Sequence, residues 1–585
     1  MDERATFLGV ENSVTGRRWT AAGAATDRMA MQLQQIAGVP DLVARLLAEK
    51  GVAPEHVDGY LAPRLRDLMP DPSQIADMDH AAERLAQAVR QSQRIAIFGD
   101  YDVDGGASAA LLVDWLRHFD VAATTYIPDR IDEGYGPNVP AMADLGARHD
   151  LVICVDCGTL SHDPVAAARE AGADVVIVDH HLPGPTLPDA ITVNPNRADD
   201  TAELGHLCAA GVVFMLLVAT NRVLRGQRKV PDLMEMLDLV AVATVADVAP
   251  MIGLNRAFVR TGLGVMAQRQ RPGLVALTDV AGLTAPPSSR DLGFALGPRI
   301  NAGGRIGAAD LGARLLATTD LHEATALAEK LDTLNRERRE IEAAVQDAAT
   351  LQIEARGTEG ALVWAAGEGW HPGVVGIVAS RLKDRFNRPA VVIGVDGGEG
   401  KGSGRSIAGV DLGTSVSALT QRGALLKGGG HQMAAGLTVA ADTIPAAMAA
   451  LSDLLAAQGA DRAGPRDLLV IGGLAPAFAT PELVEQIEMA GPFGPANAAP
   501  RIVFPDVVPS GVRVVGSGHC QARFGDKGGN LAAIAFGAAD NGIAEFLNAA
   551  AGRRQPVHVA GRLESDDWGG RRKSKLRVED VAAVP

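Results

Sequence analysis

The sequence predicts an α/β protein: two α/β domains joined by a long helix and followed by a small β-barrel. Three observations carry that prediction. From Ile75 onward, short apolar runs bounded by Gly and Asp alternate with helix-sized segments, which implies a parallel sheet covered on both faces. Between about Leu321 and Ala355, Leu327, Leu331 and Leu334 recur at helical spacing, with Arg336-Glu-Arg-Arg-Glu on the outer face. After Pro465 the pattern turns to short apolar strands separated by Gly, Pro and Asp.

At about 150 residues per domain, 585 residues correspond to roughly four domains, enough for several large cores without disulfides or metals to hold them. Lys and Arg total 55 against 70 Asp and Glu, a net charge of −15, so the chain as a whole repels polyanions. A nucleic acid would have to be met by local basic patches or bound cations. Hydrophobic residues at 47% and charged residues at 21% exclude a disordered chain. The N-terminus, Met1-Asp-Glu-Arg-Ala-Thr-Phe-Leu, lacks the basic-then-apolar order of a signal peptide. The longest uncharged apolar stretch, Leu207 to Thr220, is shorter than the roughly 18–20 residues of a membrane span. Cys154, Cys157, Cys208 and Cys520 are too few for a disulfide framework. A soluble protein of the reducing cytoplasm, with no membrane partner, is expected.

Residues 1–75 read as an N-terminal helical segment, with Asp41-Leu-Val-Ala-Arg-Leu-Leu-Ala ahead of turns at Pro63, Pro70 and Pro72. Residues 76–320 read as the first α/β domain. Its helices lie at Ala81 to Arg90 and Ala107 to His118, and its strands at Arg94-Ile-Ala-Ile-Phe, Leu151-Val-Ile-Cys-Val and Val175-Val-Ile-Val. Residues 321–357 form the connecting helix. Residues 358–460 form the second α/β domain, with strands around Ala361-Leu-Val-Trp and Ala390-Val-Val-Ile and glycine clusters at 400–404 and 428–430. Residues 465–585 form the barrel, with strands near Leu468, Ile502, Val514, Ala532 and Val557.

The strongest chemical signal is Phe98-Gly-Asp-Tyr-Asp-Val-Asp-Gly-Gly, which sets Asp100, Asp102 and Asp104 in a loop directly after a strand. Carboxylates at alternate positions repel one another unless a multivalent cation or protonation relieves them. A calcium loop of the EF-hand type is flanked by two helices, whereas here the flanks are strand and helix. Val155-Asp156-Cys-Gly ends the second strand, Val178-Asp179-His180-His181 ends the third, and Thr244-Val-Ala-Asp247 adds an isolated Asp in an apolar context. Ligands of open parallel sheets sit outside the carboxyl ends of strands, so these segments converge on one crevice. Carboxylates mixed with imidazoles suit Mn²⁺ or a similar divalent ion, and bridging carboxylates let two ions sit about 3.5–4 Å apart. Cys154 and Cys157 form a C-x-x-C without a second pair at zinc spacing, and read as small buried thiols.

Taken in order, Asp100-Tyr-Asp-Val-Asp-Gly, Val155-Asp-Cys-Gly, Asp179-His-His and Thr244-Val-Ala-Asp resemble the four metal-site motifs of the DHH phosphoesterase superfamily. Tyr126-Ile-Pro-Asp-Arg, Glu133-Gly-Tyr-Gly, Asn194-Pro and Gly297-Pro-Arg-Ile-Asn-Ala-Gly-Gly-Arg are similar to motifs of its RecJ branch, the single-strand-specific 5′→3′ exonucleases. Trp370-His-Pro-Gly-Val-Val-Gly, Gly402-Ser-Gly-Arg-Ser and Gly429-Gly-His-Gln-Met-Ala-Ala-Gly resemble the companion DHHA1 domain. Gly303-Gly304 departs slightly from the pattern, in which Ala-Gly is commoner. More loosely, the terminal β region resembles the oligonucleotide-binding (OB) fold of that branch. The fold implied is therefore a DHH parallel-sheet domain and a DHHA1 domain joined by the long helix, plus a C-terminal OB-like β-barrel.

The resemblance implies Asp102, Asp104, Asp156, His180 and Asp247 as metal ligands, with Asp156 the bridge and Asp100 a further catalytic carboxylate of the first loop. His181 and Arg299 would serve the scissile phosphate. Asn301 and Arg305 would contact phosphates, since Arg offers a planar fork matched to their oxygens. On the opposite wall, Ser403, Gly404, Arg405, Ser406, Gly430 and His431 would hold the incoming strand, the glycines freeing backbone N–H groups for anions. The cofactor implied is a pair of Mn²⁺ or Mg²⁺ ions. The reaction implied is two-metal hydrolysis of single-stranded DNA, 5′→3′, to 5′-mononucleotides in DNA repair and recombination, with single-strand-binding protein and a helicase as partners.

A polymer also needs a track. Between Arg553 and Arg577, eight Lys and Arg face three Asp and Glu, with Trp568 among them as a stacking platform for bases. Two rival readings share the fold. A phosphoesterase of short oligonucleotides, cyclic dinucleotides or pyrophosphate has no use for the N-terminal segment or the barrel. A non-catalytic replication scaffold would have lost metal-site Asp or His residues, and every one is present.

Overall fold

The computed structural model describes residues 6–130, 133–462, 466–516, 518–526, 528–566 and 572–584. The chain divides into two compact units, one of Met69–Ala249 with Ala257–Ala463, the other of Met1–Leu68 with Pro250–Arg256 and Gly464–Pro585.

The larger unit is built on five parallel strands, Ile95–Gly99, Ala123–Tyr126, Leu151–Val155, Asp174–Val178 and Ile191–Val193. Numbered along the chain, they lie in the order 2-1-3-4-5 across the sheet. The order reverses between strands 1 and 3, and this opens a crevice at their carboxyl ends. Strands 1 and 3 are buried at every residue, as their unbroken apolar runs predict. Two of these five strands escaped the sequence reading. Ala123-Thr-Thr-Tyr is an edge strand with exposed threonines, and Ile191–Val193 has only three residues, so neither leaves an apolar run.

The segment around Thr244 ends in a helix, Leu237–Ala246, with Asp247 as its C-cap. Eight of its ten residues are buried, and an element apolar all round shows no period that separates helix from strand.

The connecting helix is Leu321–Arg356, 36 residues long, capped by Asp320, which accepts the N–H groups of His322 and Glu323. Its charged run is not wholly on the outer face. Arg338 is buried with Asn335 and Glu342, and Nη1 of Arg338 donates to Glu342 at 2.6 Å. Beyond it, a second five-stranded sheet holds Val363–Glu368, Ala390–Asp396, Glu399–Arg405, Lys427–His431 and Ala434–Ala440, in the order 4-5-3-2-1 with only the first two parallel.

In the smaller unit, strands Ile502–Val515, His519–Gly525, Asn530–Ala535, Val557–Asp566 and Lys573–Ala583 follow the order 1-2-3-5-4, and strand 4 returns to strand 1 to close a barrel. This is the expected OB-like barrel. Helices Ala24–Ala37 and Asp41–Glu49 share its core through Leu33, Leu46 and Leu47 alongside Phe504 and Phe524. The N-terminal segment is not helical throughout. Arg17–Ala21 is a strand paired in parallel with Arg466–Val470, and its buried Trp19 donates Nε1–H to Asp580 at 2.8 Å. A pairing across some 449 positions leaves no local trace in sequence.

Among the described residues no helix is long and apolar enough to cross a membrane. All four cysteines are free and buried, as expected from the sequence for Cys154 and Cys157.

Close helix packing sets the position of Asp247. A Cβ on Gly262 would lie 2.2 Å from the Leu237 carbonyl oxygen and 2.5 Å from the Ala241 Cβ. Gly262→Ala is therefore expected to cost about 1–3 kcal/mol, the usual scale of overpacking, read as a lower midpoint of thermal unfolding.

Candidate active site

The first acid loop leaves the buried strand Ile95–Gly99 and turns at once into the helix Val103–Arg117. Asp102 caps that helix, its Oδ1 accepting N–H from Asp104 at 2.8 Å and Gly105 at 3.2 Å. The turn is so tight that a Cβ on Gly105 would sit 2.4 Å from the Asp100 carbonyl oxygen. Asp104, 1% exposed, accepts the N–H groups of Ala209 and Ala210 at 2.6 and 2.8 Å. These belong to the first turn of the helix Ala209–Leu224, where a negative charge is favoured.

The other segments arrive at the same place. Asp156, 2% exposed, has a left-handed backbone, φ 60°, and donates its N–H to the Val178 carbonyl at 3.0 Å. His180 Nε2 lies 3.2 Å from Asp156 Oδ1, 3.8 Å from Asp104 Oδ2 and 4.0 Å from Asp247 Oδ2. Three groups of potential ligand atoms result, each within 4.8 Å: Asp104, His180 and Asp247; Asp100, Asp102 and Asp156; Asp156, His180 and His181. Asp156 is in two of them, the place a bridging ligand takes.

Burial and mutual charge make this cluster costly. Burial, then the charge of Asp102, pushes Asp100 up to about 8. Burial, then the charge of Asp104, pushes Asp247 up to about 9. Asp156 is held well above the carboxylate range by burial, then by Asp104, Asp102, Asp100 and Asp247. Oδ1 of Asp100, Oδ1 of Asp156 and Nε2 of His180 are buried without a hydrogen-bond partner. Such a set of oxygens and one imidazole fits divalent cations. Asp179 behaves oppositely. Burial alone would raise it, but the hydrogen bond and charge of His181 and the hydrogen bonds of Thr159 hold it below the usual range. Its Oδ1 takes the His180 N–H at 2.7 Å and His181 Nδ1 at 2.7 Å. Burial would lower His181, yet that bond and the charge of Asp179 raise it.

The helix Gly297–Ile306 carries the next expected residues. Arg299 is engaged at Nε by Asp332, 2.9 Å, and at Nη1 by the Ala295 carbonyl, 2.7 Å. Asn301 accepts the Val103 N–H at 3.1 Å and so braces the acid loop. Arg305 donates Nη1–H to the Gly373 carbonyl at 3.2 Å, and burial, then Arg130 and Arg338, lowers it to about 10. Arg405 and His371 are likewise lowered by burial and then by Arg130. Arg130, Arg305, Arg405 and His371 thus share one electrostatic neighbourhood. Ser403 accepts from Arg405 Nη1 at 2.9 Å, Gly430 lies at φ 155°, and His431 is exposed.

Ser406 and Gly404 have structural roles of their own. Ser406 is fully buried, donates its hydroxyl to the Val410 carbonyl at 2.7 Å and its N–H to the Met433 carbonyl, so as placed it has neither group free for a strand. Gly404 is required by packing, because a Cβ there would lie 2.7 Å from the Leu412 Cδ2. Trp568 lies outside the described residues. Arg130 and His371 sit inside motifs quoted from the sequence, and only the fold brings Arg130 within electrostatic reach of Arg305, Arg405 and His371.

Residues 94–244 match the DHH family, N-terminal domain, residues 359–457 the DHHA1 domain and residues 472–580 the RecJ OB domain. The single-stranded-DNA-specific exonuclease RecJ of Escherichia coli is 36% identical over 578 residues, covering 93% of this chain and 96% of the relative. That of Bacillus subtilis is 35% identical over 577 residues, covering 97% of this chain and 71% of the relative. The crystal structure of RecJ in complex with Mn²⁺ from Thermus thermophilus matches with a TM-score of 0.78 at 28% identity, covering 96% of this chain and 79% of that one. The Mg²⁺ complex of the same protein matches at a TM-score of 0.73 and 26% identity, covering 96% of this chain and 78% of that one.

In EDTA, stability is expected to fall as pH rises from about 4 through about 8 and about 9. Over that range the folded state holds protons on Asp100 and Asp247 that the unfolded chain has released, and equilibrium unfolding at several pH values checks the slope. Asp156→Asn spares the folded chain the cost of keeping that buried carboxyl protonated, so it should raise the unfolding midpoint in EDTA. It should also abolish the gain from added Mn²⁺, which for the unaltered chain is about 2.7 kcal/mol at a hundred times the dissociation constant.

Proposed function

Because the chain belongs to the RecJ family of single-stranded-DNA-specific exonucleases, we propose that it degrades single-stranded DNA from the 5′ end to 5′-mononucleotides. One observation carries the reading: three overlapping groups of potential ligands, two with an imidazole and one of carboxylates alone, belong to the same compact unit as Arg130, Arg305 and Arg405. Asp102, Asp104, Asp156, His180 and Asp247 would hold two divalent ions, Mn²⁺ or Mg²⁺, with Asp100 as a further carboxylate. Bound there, such ions acidify a water and neutralise charge on the phosphate oxygens.

The rest falls to the protein. Asp179 fixes the ring of His181 and favours its charged form, so that a ring N–H is offered to a non-bridging phosphate oxygen. Arg305 and Arg405 bind phosphates of the strand, with Arg130 deepening the positive field. Ser403, the backbone at Gly430 and His431 line the same wall. We assign Arg299 and Asn301 chiefly to holding the walls, since Asp332 and the acid loop already engage them. The barrel offers single strands an exposed aromatic, Phe536, with Arg577 over its ring at 5.2 Å and His519 edge-on at 5.1 Å. Because helicases open duplexes into single strands and single-strand-binding proteins coat them, both are proposed partners. Free buried thiols suit a reducing cytoplasm.

The test is a gel assay with Mn²⁺ on single-stranded DNA labelled separately at each end, beside its duplex. A labelled mononucleotide should appear from the 5′ label only, with the duplex spared. EDTA should abolish release, and Asp102→Ala should lower it by more than about 10²-fold, since even outer partners of metal ligands are worth 10–100-fold. Survival of long strands while only very short oligonucleotides disappear would overturn the reading.

A further inference from the structure

The two histidines are held by more than Asp179. The Nδ2 of Asn196 donates to the His180 carbonyl at 2.6 Å, and the Nδ2 of Asn194 donates to the His181 carbonyl at 2.8 Å. The two amides are themselves linked. Asn194 Oδ1 accepts the Asn196 N–H at 2.8 Å, and Asn194 Nδ2 also reaches Thr159 Oγ1 at 3.0 Å. The Thr159 N–H in turn donates to Asp179 Oδ2 at 3.1 Å. Asn194, Thr159 and Asp179 are buried to within 1%. The result is a closed ring of hydrogen bonds behind the histidines, in which each buried donor has an acceptor.

Asn196 also reaches the other side of the cluster. Its Nδ2 lies 3.3 Å from the Gly205 carbonyl, and a Cβ on Gly205 would fall 2.3 Å from its Oδ1. Three residues on, Cys208 caps the helix whose Ala209 and Ala210 N–H groups hold Asp104. A single side chain therefore spans the backbone of His180 and the loop that leads to the anchor of Asp104, two members of one ligand group.

We propose that Asn196 and Asn194 are positioning residues: Asn196 fixes the distance between His180 and Asp104, and Asn194 fixes the approach of His181. Neither touches the reacting atoms. A backbone carbonyl tied by an amide cannot rotate without breaking a buried hydrogen bond, so the imidazoles are held before any ligand arrives. The proposal rests on the reading of His180 as a metal ligand.

The test uses the full chain and Mn²⁺ as the probe. Free Mn²⁺ is followed by its EPR signal during titration, beside steady-state kinetics on a single-stranded oligonucleotide and thermal unfolding. Asn196→Ala should weaken Mn²⁺ binding about 10-fold, the low end of the range for outer partners of metal ligands. It should lower kcat by a similar factor and leave KM for DNA unchanged. Asn194→Ala should lower kcat with Mn²⁺ affinity kept; should that fully buried site not tolerate the change, half-buried Asn196 carries the test alone. A folded Asn196→Ala with unchanged Mn²⁺ affinity and kcat overturns the proposal. A rise in KM alone overturns it too, since that marks a substrate contact. His180→Ala separates the two levels: affinity lost there but kept in Asn196→Ala defeats only the positioning role, and affinity kept in both defeats the ligand reading beneath it.

Discussion

Mutual repulsion among buried carboxylates is the constraint on which the larger unit depends. Asp100, Asp102, Asp104, Asp156 and Asp247 meet at the carboxyl end of one parallel sheet, most of them out of water. Like charges so placed cost free energy in any fold, and the surroundings are arranged to bear it. The helix Ala209–Leu224 points its free N–H groups at Asp104. Asp102 is satisfied as a cap of its own helix. What remains unsatisfied, Oδ1 of Asp100, Oδ1 of Asp156 and Nε2 of His180, is a donor set for cations rather than for protein hydrogen bonds.

Holding such a cluster needs rigid neighbours, and the connecting helix supplies one. Asp332 grips Arg299, Glu342 pairs with Arg338 and Arg381, and Gln346 accepts from Arg381 at 2.9 Å. These positions fall on one helical face, toward both the helix Gly297–Ile306 and the helix Pro372–Phe386. A buried pair such as Arg338–Glu342 adds little net stability once desolvation is counted, but it admits few alternative geometries. Small residues do the same for the backbone. Gly373 lets the second domain approach Arg305 so closely that a Cβ would lie 2.3 Å from the Arg305 carbonyl oxygen.

Much of the architecture was legible in the chain. The apolar run Leu151–Val155 and the connector from Leu321 have a periodicity or length that admits one reading. The acid loops were legible because three aspartates at alternate positions after a strand make poor solvated turn material. Where the pattern was silent or ambiguous, the reading failed in a physical way. An edge strand with exposed threonines, a helix apolar on every face before Asp247 and a strand whose partner lies at Arg466–Val470 carry no local signature. Arg338 reads as solvated among its charged neighbours, and only packing shows it buried.

What the chain determined by itself is the inventory: which carboxylates, imidazoles and arginines exist, and which loops release them at the ends of strands. Tertiary structure decided their partners. Arg299 became a link to Asp332, Ser406 turned inward, Arg130 came within electrostatic reach of Arg305 and His371, and Asn194 and Asn196 closed behind the histidines. The division follows from distance along the chain. Strand and helix are local and leave periods in sequence, whereas a hydrogen bond or a shared field between residues scores of positions apart exists only once the backbone has brought them together.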